Sequence, residues 1–284
     1  MQHKYLETNG IQLHYVSEGE GPLMLFLHGF PECWYSWRHQ LSEFSQYYKA
    51  VAVDLRGYNE SDKPKEKSAY ALSELVADVK GVILALGYER CILVGHDWGG
   101  AIAWSFAYEH PEMLEQLIVL NLPHPAKFAE GLKTPQQLLR SWYIALFQLP
   151  GIPEFLLSAN NYAAIRAAFK NQAINPNAFT AEDLDTLVKA AAKPNAIRSM
   201  LNYYRNIFQS EGFLNKSWPV LKVPTLMVWG ENDAALGKEL TYGTDAYVEN
   251  FELHYIPNCS HWVQQEQPER VNQYIKAFID KNPR

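Results

Sequence analysis

The sequence Gly-His-Asp-Trp-Gly at residues 95–99 places one carboxylate, that of Asp97, at the centre of a turn bounded by glycines. An apolar run at 91–94 precedes this turn, and a stretch rich in alanine and aromatic residues follows it. The pattern predicts a strand, a sharp turn and a helix, a local structure that lifts one side chain above the edge of a sheet. Asp97 is therefore the candidate nucleophile.

A carboxylate restricts the chemistry that such a nucleophile can perform. The ordinary pKa of an aspartate, about 3.9, keeps it ionised at neutral pH, so it needs no base for activation. Attack on an acyl group would give an anhydride, whereas attack on a saturated carbon gives an alkyl ester that water can later cleave. Asp97 therefore predicts either the opening of an epoxide or the expulsion of a halide. The alternative is that Asp97 only caps the following helix.

Two further residues could activate the water that cleaves such an ester. His261 lies in a loop after the last predicted strand, and Asp233 follows the strand before it. The chain order of nucleophile, acid and histidine is the one found in α/β-hydrolases. We expect His261 to act as general base and Asp233 to orient it. Glu231 is a possible substitute for Asp233, and either position taken alone would more often be an exposed loop residue.

The segment His-Gly-Phe-Pro at 28–31 follows the third predicted strand. In this position the backbone N–H of Phe30, together with that of Trp98, could bind the oxyanion formed when water attacks an ester of Asp97. A tight turn made by glycine and proline is compatible with that role. We interpret His28 and His96, which lie close to these motifs, as structural residues.

The elements that must position these residues alternate along the chain. A helical apolar pattern at 72–86 ends at Gly87, and Asn9-Gly10 is typical of a type I′ hairpin turn. Most of the strands are continuous apolar runs, as expected when helices cover both faces. The alternation predicts an α/β fold with a mostly parallel, eight-stranded sheet, and the chain order of Asp97, Asp233 and His261 makes the α/β-hydrolase fold the expected form of it. The predicted strands are 5–8, 11–16, 23–27, 50–54, 91–94, 117–120, 224–229 and 251–256.

Between 125 and 216 the alternation stops, and the segment is helical and rich in aromatic residues. Thr134-Pro135 is typical of one helix start, and Thr180 with Asp183 of another. We expect residues 125–216 to form a helical cap inserted into a core of 1–124 and 217–284. An independent second domain is the alternative, but strand-like segments resume immediately afterwards.

Composition favours a cytoplasmic enzyme that acts on a small molecule. The chain has 284 residues, 48% of them hydrophobic, and a net charge of −6, which gives no reason to expect nucleic acid or membrane partners. Its three cysteines match no metal spacing, and its first residues lack the apolar core of a signal peptide. We expect no metal and no cofactor, and a monomer or a homodimer.

Taken together, the motifs resemble those of the epoxide hydrolases of the α/β-hydrolase superfamily. The resemblance extends from about residue 10 to 268, nearly the whole chain, and continues through the predicted cap. Its motifs are His-Gly-Phe-Pro at 28–31, Trp-Tyr-Ser-Trp-Arg at 34–38, Asp-Leu-Arg-Gly-Tyr at 54–58, Gly-His-Asp-Trp-Gly-Gly at 95–100, Phe-Gln-Leu-Pro-Gly-Ile-Pro-Glu at 147–154 and Leu-Asn-Tyr-Tyr-Arg-Asn at 201–206.

This resemblance implies that Tyr143 and Tyr204 bind and protonate the epoxide oxygen. An opened epoxide is an alkoxide, a poor leaving group, so phenols with a pKa of about 10 are useful donors. Tyr143 shares a predicted helix face with Leu139, and Tyr204 with Phe208. Tyr203 is the obvious rival of Tyr204.

Four aromatic residues predict an apolar substrate pocket that binds a small epoxide: Phe30, Trp98, Trp142 and Phe147. The main alternative is a haloalkane or haloacid dehalogenase that uses the same Asp-His-Asp set. Haloalkane dehalogenases share the Asp-Trp pair but usually add a second halide donor, for which Trp142 is the candidate. Fluoroacetate-type enzymes typically have arginine after the nucleophile, where this chain has Trp98. A non-catalytic receptor on the same fold is a third alternative.

Overall fold

A computed structural model describes residues 1–207 and 217–283. Within these ranges eight strands form one sheet in the order β1-β2-β4-β3-β5-β6-β7-β8. β1 and β2 pair antiparallel with each other, β2 pairs antiparallel with β4, and the other pairs are parallel. The expected mostly parallel, eight-stranded sheet is confirmed. The strands are β1 (Gln2–Thr8), β2 (Ile11–Glu18), β3 (Leu23–Leu27), β4 (Lys49–Val53), β5 (Cys91–His96), β6 (Leu114–Leu120), β7 (Thr225–Gly230) and β8 (Phe251–Ile256).

Helices connect the strands and cover the sheet. They are α1 (Arg38–Phe44), α2 (Leu72–Ala85), α3 (Trp98–Glu109), α4 (Pro125–Gly131), α5 (Pro135–Arg140), α6 (Trp142–Phe147), α7 (Ile152–Gln172), α8 (Ala181–Ala191), α9 (Ala196–Asn206), α10 (Val263–Glu266) and α11 (Pro268–Lys281). Across the described ranges, none of these helices combines the length and the apolarity that a membrane span requires.

Two apolar cores, one on each face of the sheet, explain why the central strands are continuous hydrophobic runs. Alternate side chains of β3 enter different cores: Leu25 joins a cluster that includes residues of α2 and α3, and Phe26 joins one that includes residues of α1 and α11. Both faces of a strand must therefore be apolar. The arrangement confirms helices on both faces of the sheet.

The local structures that short-range sequence signals predicted are present. Asn9 and Gly10 both have positive φ, 47° and 72°, as a type I′ turn requires. Thr180 and Asp183 make a complete capping box at the start of α8. The side chain of Thr134 accepts a hydrogen bond from the backbone of α5.

Helices α4 to α9 lie between β6 and β7 in the chain and depart from expectation in one place. The prediction that Leu139 and Tyr143 share one helix face is wrong. The helix is interrupted at Ser141, between α5 and α6, and Leu139 is 75% exposed. α7 is itself interrupted at Asn160, Asn161 and Tyr162, whose φ values are positive. Phe208 and the expected end of the cap at residue 216 lie outside the described residues.

The sheet brings distant parts of the chain to one edge. In a parallel sheet the carboxyl ends of neighbouring strands meet at the same edge, where ligand sites form. Here β3, β5, β6, β7 and β8 are consecutive neighbours. The loops that follow these strands are therefore gathered along that edge, and they carry Phe30, Asp97, Asn121, Asp233 and His261.

Candidate active site

Asp97 occupies a strained turn between β5 and α3. Its backbone lies at φ 49° and ψ −121°, a conformation rare for a residue with a side chain, and it occupies the N-cap position of α3. A Cβ added at Gly95 would lie 2.4 Å from the carbonyl oxygen of Gly99, so the turn admits no side chain there. The Asp97 side chain makes no capping hydrogen bond. The helix-cap alternative is therefore wrong for this carboxylate.

The two carboxylate oxygens of Asp97 face different partners. The backbone N–H of Phe30 donates to Oδ1 at 2.8 Å, and Nε2 of His261 lies 3.5 Å from Oδ2. A Cβ on Gly29 would lie 2.3 Å from the Cβ of Asp97, so only glycine allows this loop to approach so closely. Oδ1 is thus held by the backbone, and Oδ2 faces the histidine.

Asp233 holds the other side of the imidazole. Nδ1 of His261 lies 2.6 Å from Oδ2 of Asp233, and that oxygen also accepts from the side-chain amide of Asn121 at 2.8 Å. Oδ1 of Asp233 accepts from the backbone N–H groups of Ala235 and Leu236. An ionised carboxylate can only accept, so Nδ1 of His261 donates and Nε2 faces Asp97.

The rival acid is in a different place. Glu231 pairs with Lys238 at 2.8 Å in a partly exposed contact. Asn121, which cannot ionise and so is no candidate acid, instead orients Asp233 and accepts the backbone N–H of Gly230. The position of Asn121 directly after β6 is the feature of the sequence from which this role could have been predicted.

The three ionisable groups adjust one another's pKa values. Burial alone would lower the pKa of His261, but the carboxylates of Asp233 and Asp97 outweigh it and raise that pKa well above its ordinary value. Burial alone would raise the pKa values of both carboxyl groups, and the charge of His261 lowers them instead. Each of the three groups therefore favours the charged form of its neighbour.

A second buried ion pair adjoins this site and was not foreseen. Oε2 of Glu32 lies 2.8 Å from Nδ1 of His96, whose Nε2 lies 2.8 Å from the carbonyl oxygen of His261. The same Glu32 carboxylate accepts the backbone N–H of Gly29 and the side-chain amide of Gln265. Burial would raise the pKa of Glu32, but His96 outweighs it and lowers that pKa. His96 is thus structural, as expected, and it ties the turn before Asp97 to the loop that carries His261.

The two candidate tyrosines meet beside the nucleophile. The rings of Tyr143, from α6, and Tyr204, from α9, are 5.9 Å apart and nearly perpendicular, and Trp98 packs edge-on against Tyr204 at 5.1 Å. Burial raises the pKa values of both phenols above their ordinary value, so both remain protonated and able to donate. The rival Tyr203 instead donates its hydroxyl to the carbonyl of Arg56 at 2.7 Å.

Asp97, Tyr143 and Tyr204 line two cavities of different size. One holds about 40 Å³, and apart from Asp97 the described residues that line it are uncharged. The second holds about 420 Å³ and also contacts His261. The three groups therefore stand where a wide cavity meets a narrow one. Among the described residues, no group of three or more His, Cys, Asp or Glu side chains is arranged to hold a metal ion.

Each of the four aromatic residues expected in the pocket lines one of these cavities. Phe30, Phe147 and Trp142 line the wide cavity, and Trp98 lines the narrow one. Trp142 is 64% exposed and so lies where the wide cavity opens to solvent, whereas Phe147 is buried. The inner part of the pocket is thus aromatic.

Comparisons with known proteins agree with this geometry. Residues 22–268 match the family model described as alpha/beta hydrolase fold. The chain is 45% identical to epoxide hydrolase 4 of Mus musculus over 98% of this chain and 79% of that one. It is 39% identical to the solved structure of a Bacillus megaterium epoxide hydrolase in complex with an inhibitor, with a TM-score of 0.92 over 98% of this chain and 100% of that one.

The chain belongs to the epoxide hydrolases of the α/β-hydrolase superfamily. Other relatives carry broader names or lower identities. One is the AB hydrolase superfamily protein YfhM of Bacillus subtilis, 40% identical over 97% of both chains. Another is the epoxide hydrolase VrEH1 of Vigna radiata, with 28% identity and a TM-score of 0.86 over 99% of this chain and 98% of that one.

The charge arrangement predicts how His261 responds to loss of the Asp97 charge. Asp97→Asn removes one of the two carboxylates that raise the pKa of His261, so that pKa should be lower in the variant than in the wild type. NMR titration of the labelled imidazole measures the shift, and mass spectrometry checks that the amide has not reverted to a carboxylate. An unchanged pKa would contradict the proposed coupling between the two residues.

Proposed function

We propose that this protein hydrolyses epoxides to vicinal diols through an alkyl ester on Asp97. The observation that carries the proposal is that the carboxylate, the His261–Asp233 pair and two neutral phenols converge where the two cavities meet. These are the groups that the two half-reactions need: a nucleophile, a base with its orienting acid, and proton donors for the leaving oxygen.

In the first half-reaction, Oδ2 of Asp97 attacks one epoxide carbon. This oxygen is the nucleophile because Oδ1 already accepts the N–H of Phe30. The new C–O bond forms as the carbon–oxygen bond of the epoxide breaks, and the leaving oxygen takes a proton from Tyr143 or Tyr204. The lowered pKa of Asp97 keeps the nucleophile ionised, and the raised pKa values of the phenols keep the donors protonated.

Alkylation also prepares the second half-reaction. The ester on Asp97 is neutral, so one cause of the raised pKa of His261 disappears, and the imidazolium can release its proton, which replaces the proton that the tyrosine lost in the first half-reaction. Neutral His261 then accepts a proton from water, and the resulting hydroxide attacks Cγ of Asp97. The oxyanion forms on Oδ1, where the N–H groups of Phe30 and Trp98 stabilise it. Collapse of this intermediate breaks the ester and releases the diol after proton transfer to its oxygen.

We further propose that the helices of the 125–216 segment act as the cap of this site. α6 and α9 supply Tyr143 and Tyr204, and α7 supplies part of the wall of the wide cavity. The core would then supply the nucleophile and the water-activating pair, and the cap would supply the proton donors and the apolar walls. Exclusion of water by these walls would strengthen the electrostatic interactions within the site.

Two observations favour an epoxide over an alkyl halide as substrate. A departing halide needs no proton, so a pair of neutral phenols beside Asp97 would have no function in its expulsion. A halide does need N–H donors, and the indole of Trp142, the second candidate donor, is 64% exposed at the opening of the cavity. The presence of Asp97 and of the His261–Asp233 pair also disfavours a non-catalytic receptor, which would need neither a nucleophile nor a base.

The covalent mechanism predicts the source of the oxygen in the first product. In a single turnover in ¹⁸O-water, the diol should carry an unlabelled oxygen from Asp97, because water attacks Cγ rather than the substrate. Mass spectrometry of the diol measures the label. Incorporation of ¹⁸O into the first-turnover diol would rule out the ester. The Asp97→Ala variant should be folded but inactive.

Separation of the two half-reactions can be observed in a histidine variant. His261→Gln removes the base that is needed only after alkylation, so this variant should consume about one equivalent of epoxide and accumulate an ester on Asp97. Intact-protein mass spectrometry detects the adduct. Asp233→Asn should slow the same step because the imidazole loses its orienting charge. A folded His261→Gln protein that forms no adduct would show that His261 is required earlier.

Removal of the phenolic hydroxyls distinguishes epoxide opening from dehalogenation. Loss of one positioned acid costs on the order of 10²-fold in rate, so Tyr143→Phe and Tyr204→Phe together should nearly abolish diol formation from a styrene-oxide-like substrate. Diol formation from the epoxide and bromide release from a 1-bromoalkane are measured in the wild type and in the double variant. Rapid bromide release that survives in the double variant, with negligible diol formation by the wild type, would support the dehalogenase instead.

A further inference from the structure

The wide cavity contains one charged group that the proposed reaction does not use. Among the described residues that line this cavity, Arg140 alone carries a permanent positive charge. It is the last residue of α5, and its side chain is 31% exposed. Trp142 and Leu156 also line the cavity and are 64% and 46% exposed. Arg140 is therefore nearer to solvent than Asp97, whose side chain is 14% exposed.

Among the described residues, the guanidinium of Arg140 has one loose partner. Its Nη1 lies 3.7 Å from Oε2 of Glu239, whose side chain is 53% exposed. An ion pair of this length between exposed groups contributes little, and a better-placed carboxylate could replace it. Arginine presents several N–H donors in a planar fork that matches a carboxylate with two hydrogen bonds. The contact with Glu239 shows that a carboxylate can lie close to this guanidinium.

The two cavities restrict how a substrate can be oriented. The narrow cavity of about 40 Å³ has room for a few water molecules or a small alkyl group, and Asp97 is the one charged residue among its described lining residues. An anionic substituent would be unfavourable there, because it would be desolvated near the carboxylate of Asp97. In the wide cavity, the same substituent can reach Arg140 while the epoxide lies between Asp97 and the two phenols.

We propose that Arg140 is a specificity-determining residue, which selects epoxides that carry a carboxylate at the far end of an apolar chain. The epoxide lies at the junction of the cavities, the chain follows the apolar wall of the wide cavity, and the carboxylate pairs with Arg140. The short substituent of the epoxide lies in the narrow cavity. This inference rests on the proposed function, since it names the substrate class of the same site.

The test compares matched substrates in matched variants. Terminal epoxides with a carboxylate at the far end of alkyl chains of several lengths are compared with their neutral methyl esters, and kcat/KM for diol formation is measured for each. In the wild type the acid should be preferred by about tenfold at the best chain length, although the protein carries a net charge of −6. Added salt should reduce that preference.

Four variants assign the preference to the guanidinium. Arg140→Gln should remove the preference because it raises KM for the acid far more than for the ester, and Arg140→Lys should retain part of it. Glu239→Gln should increase the preference, because it removes the competing carboxylate. Lys133→Gln removes a positive charge from the segment just before α5, at an exposed position that lines neither cavity, and should change nothing.

The outcomes separate this inference from the proposed function. Turnover of the methyl ester with no preference for the acid, or an equal preference in the wild type and Arg140→Gln, overturns the role of Arg140 and leaves the epoxide hydrolase proposal intact. An equal loss of ester and acid turnover in Arg140→Gln indicates a structural role and also overturns it. Absence of diol from every epoxide, the esters included, overturns both proposals.

Discussion

The site depends on the electrostatic coupling of His261 with the carboxylates of Asp97 and Asp233, between which its imidazole lies. Desolvation acts against all three charges, so each is tolerated only because the others and nearby hydrogen-bond donors offset it. The N–H of Phe30 and the amide of Asn121 are two such donors. This balance lowers the pKa of Asp97 and raises that of His261, and in the proposed mechanism its disturbance on alkylation of Asp97 would favour the second half-reaction.

Such a balance requires the contributing loops to keep fixed distances from one another. The buried Glu32–His96 pair supplies a connection between three of them: Glu32 accepts the N–H of Gly29, His96 precedes the nucleophile, and its imidazole contacts the carbonyl of His261. Removal of one partner from a fully buried ion pair leaves an uncompensated charge, which is strongly destabilising. Glu32 and His96 therefore hold the loops of Asp97 and His261 together, and neither residue is among the described residues that line the two cavities.

Much of the fold could be predicted from the chain because its signals are short-range. The continuous apolar strands, the Asn9-Gly10 turn and the capping box at Thr180 all act over a few residues, and each formed as expected. The break at Ser141 was missed because the helical spacing continues across it, while packing leaves Leu139 exposed. Glu32 was missed because nothing in its local sequence distinguishes a buried acid from a surface one.

The sequence by itself determined the chemistry that is available: a carboxylate in a glycine-bounded turn, followed in chain order by an acid and a histidine, each in a loop that follows a strand. Residue type and chain order are local properties, so no coordinates are needed to read them. Only the tertiary structure decided which acid reaches His261, which of two adjacent tyrosines faces Asp97, and that Arg140 lines the wide cavity. Those outcomes depend on burial and on distances between segments far apart in the chain, which packing sets and residue spacing does not encode.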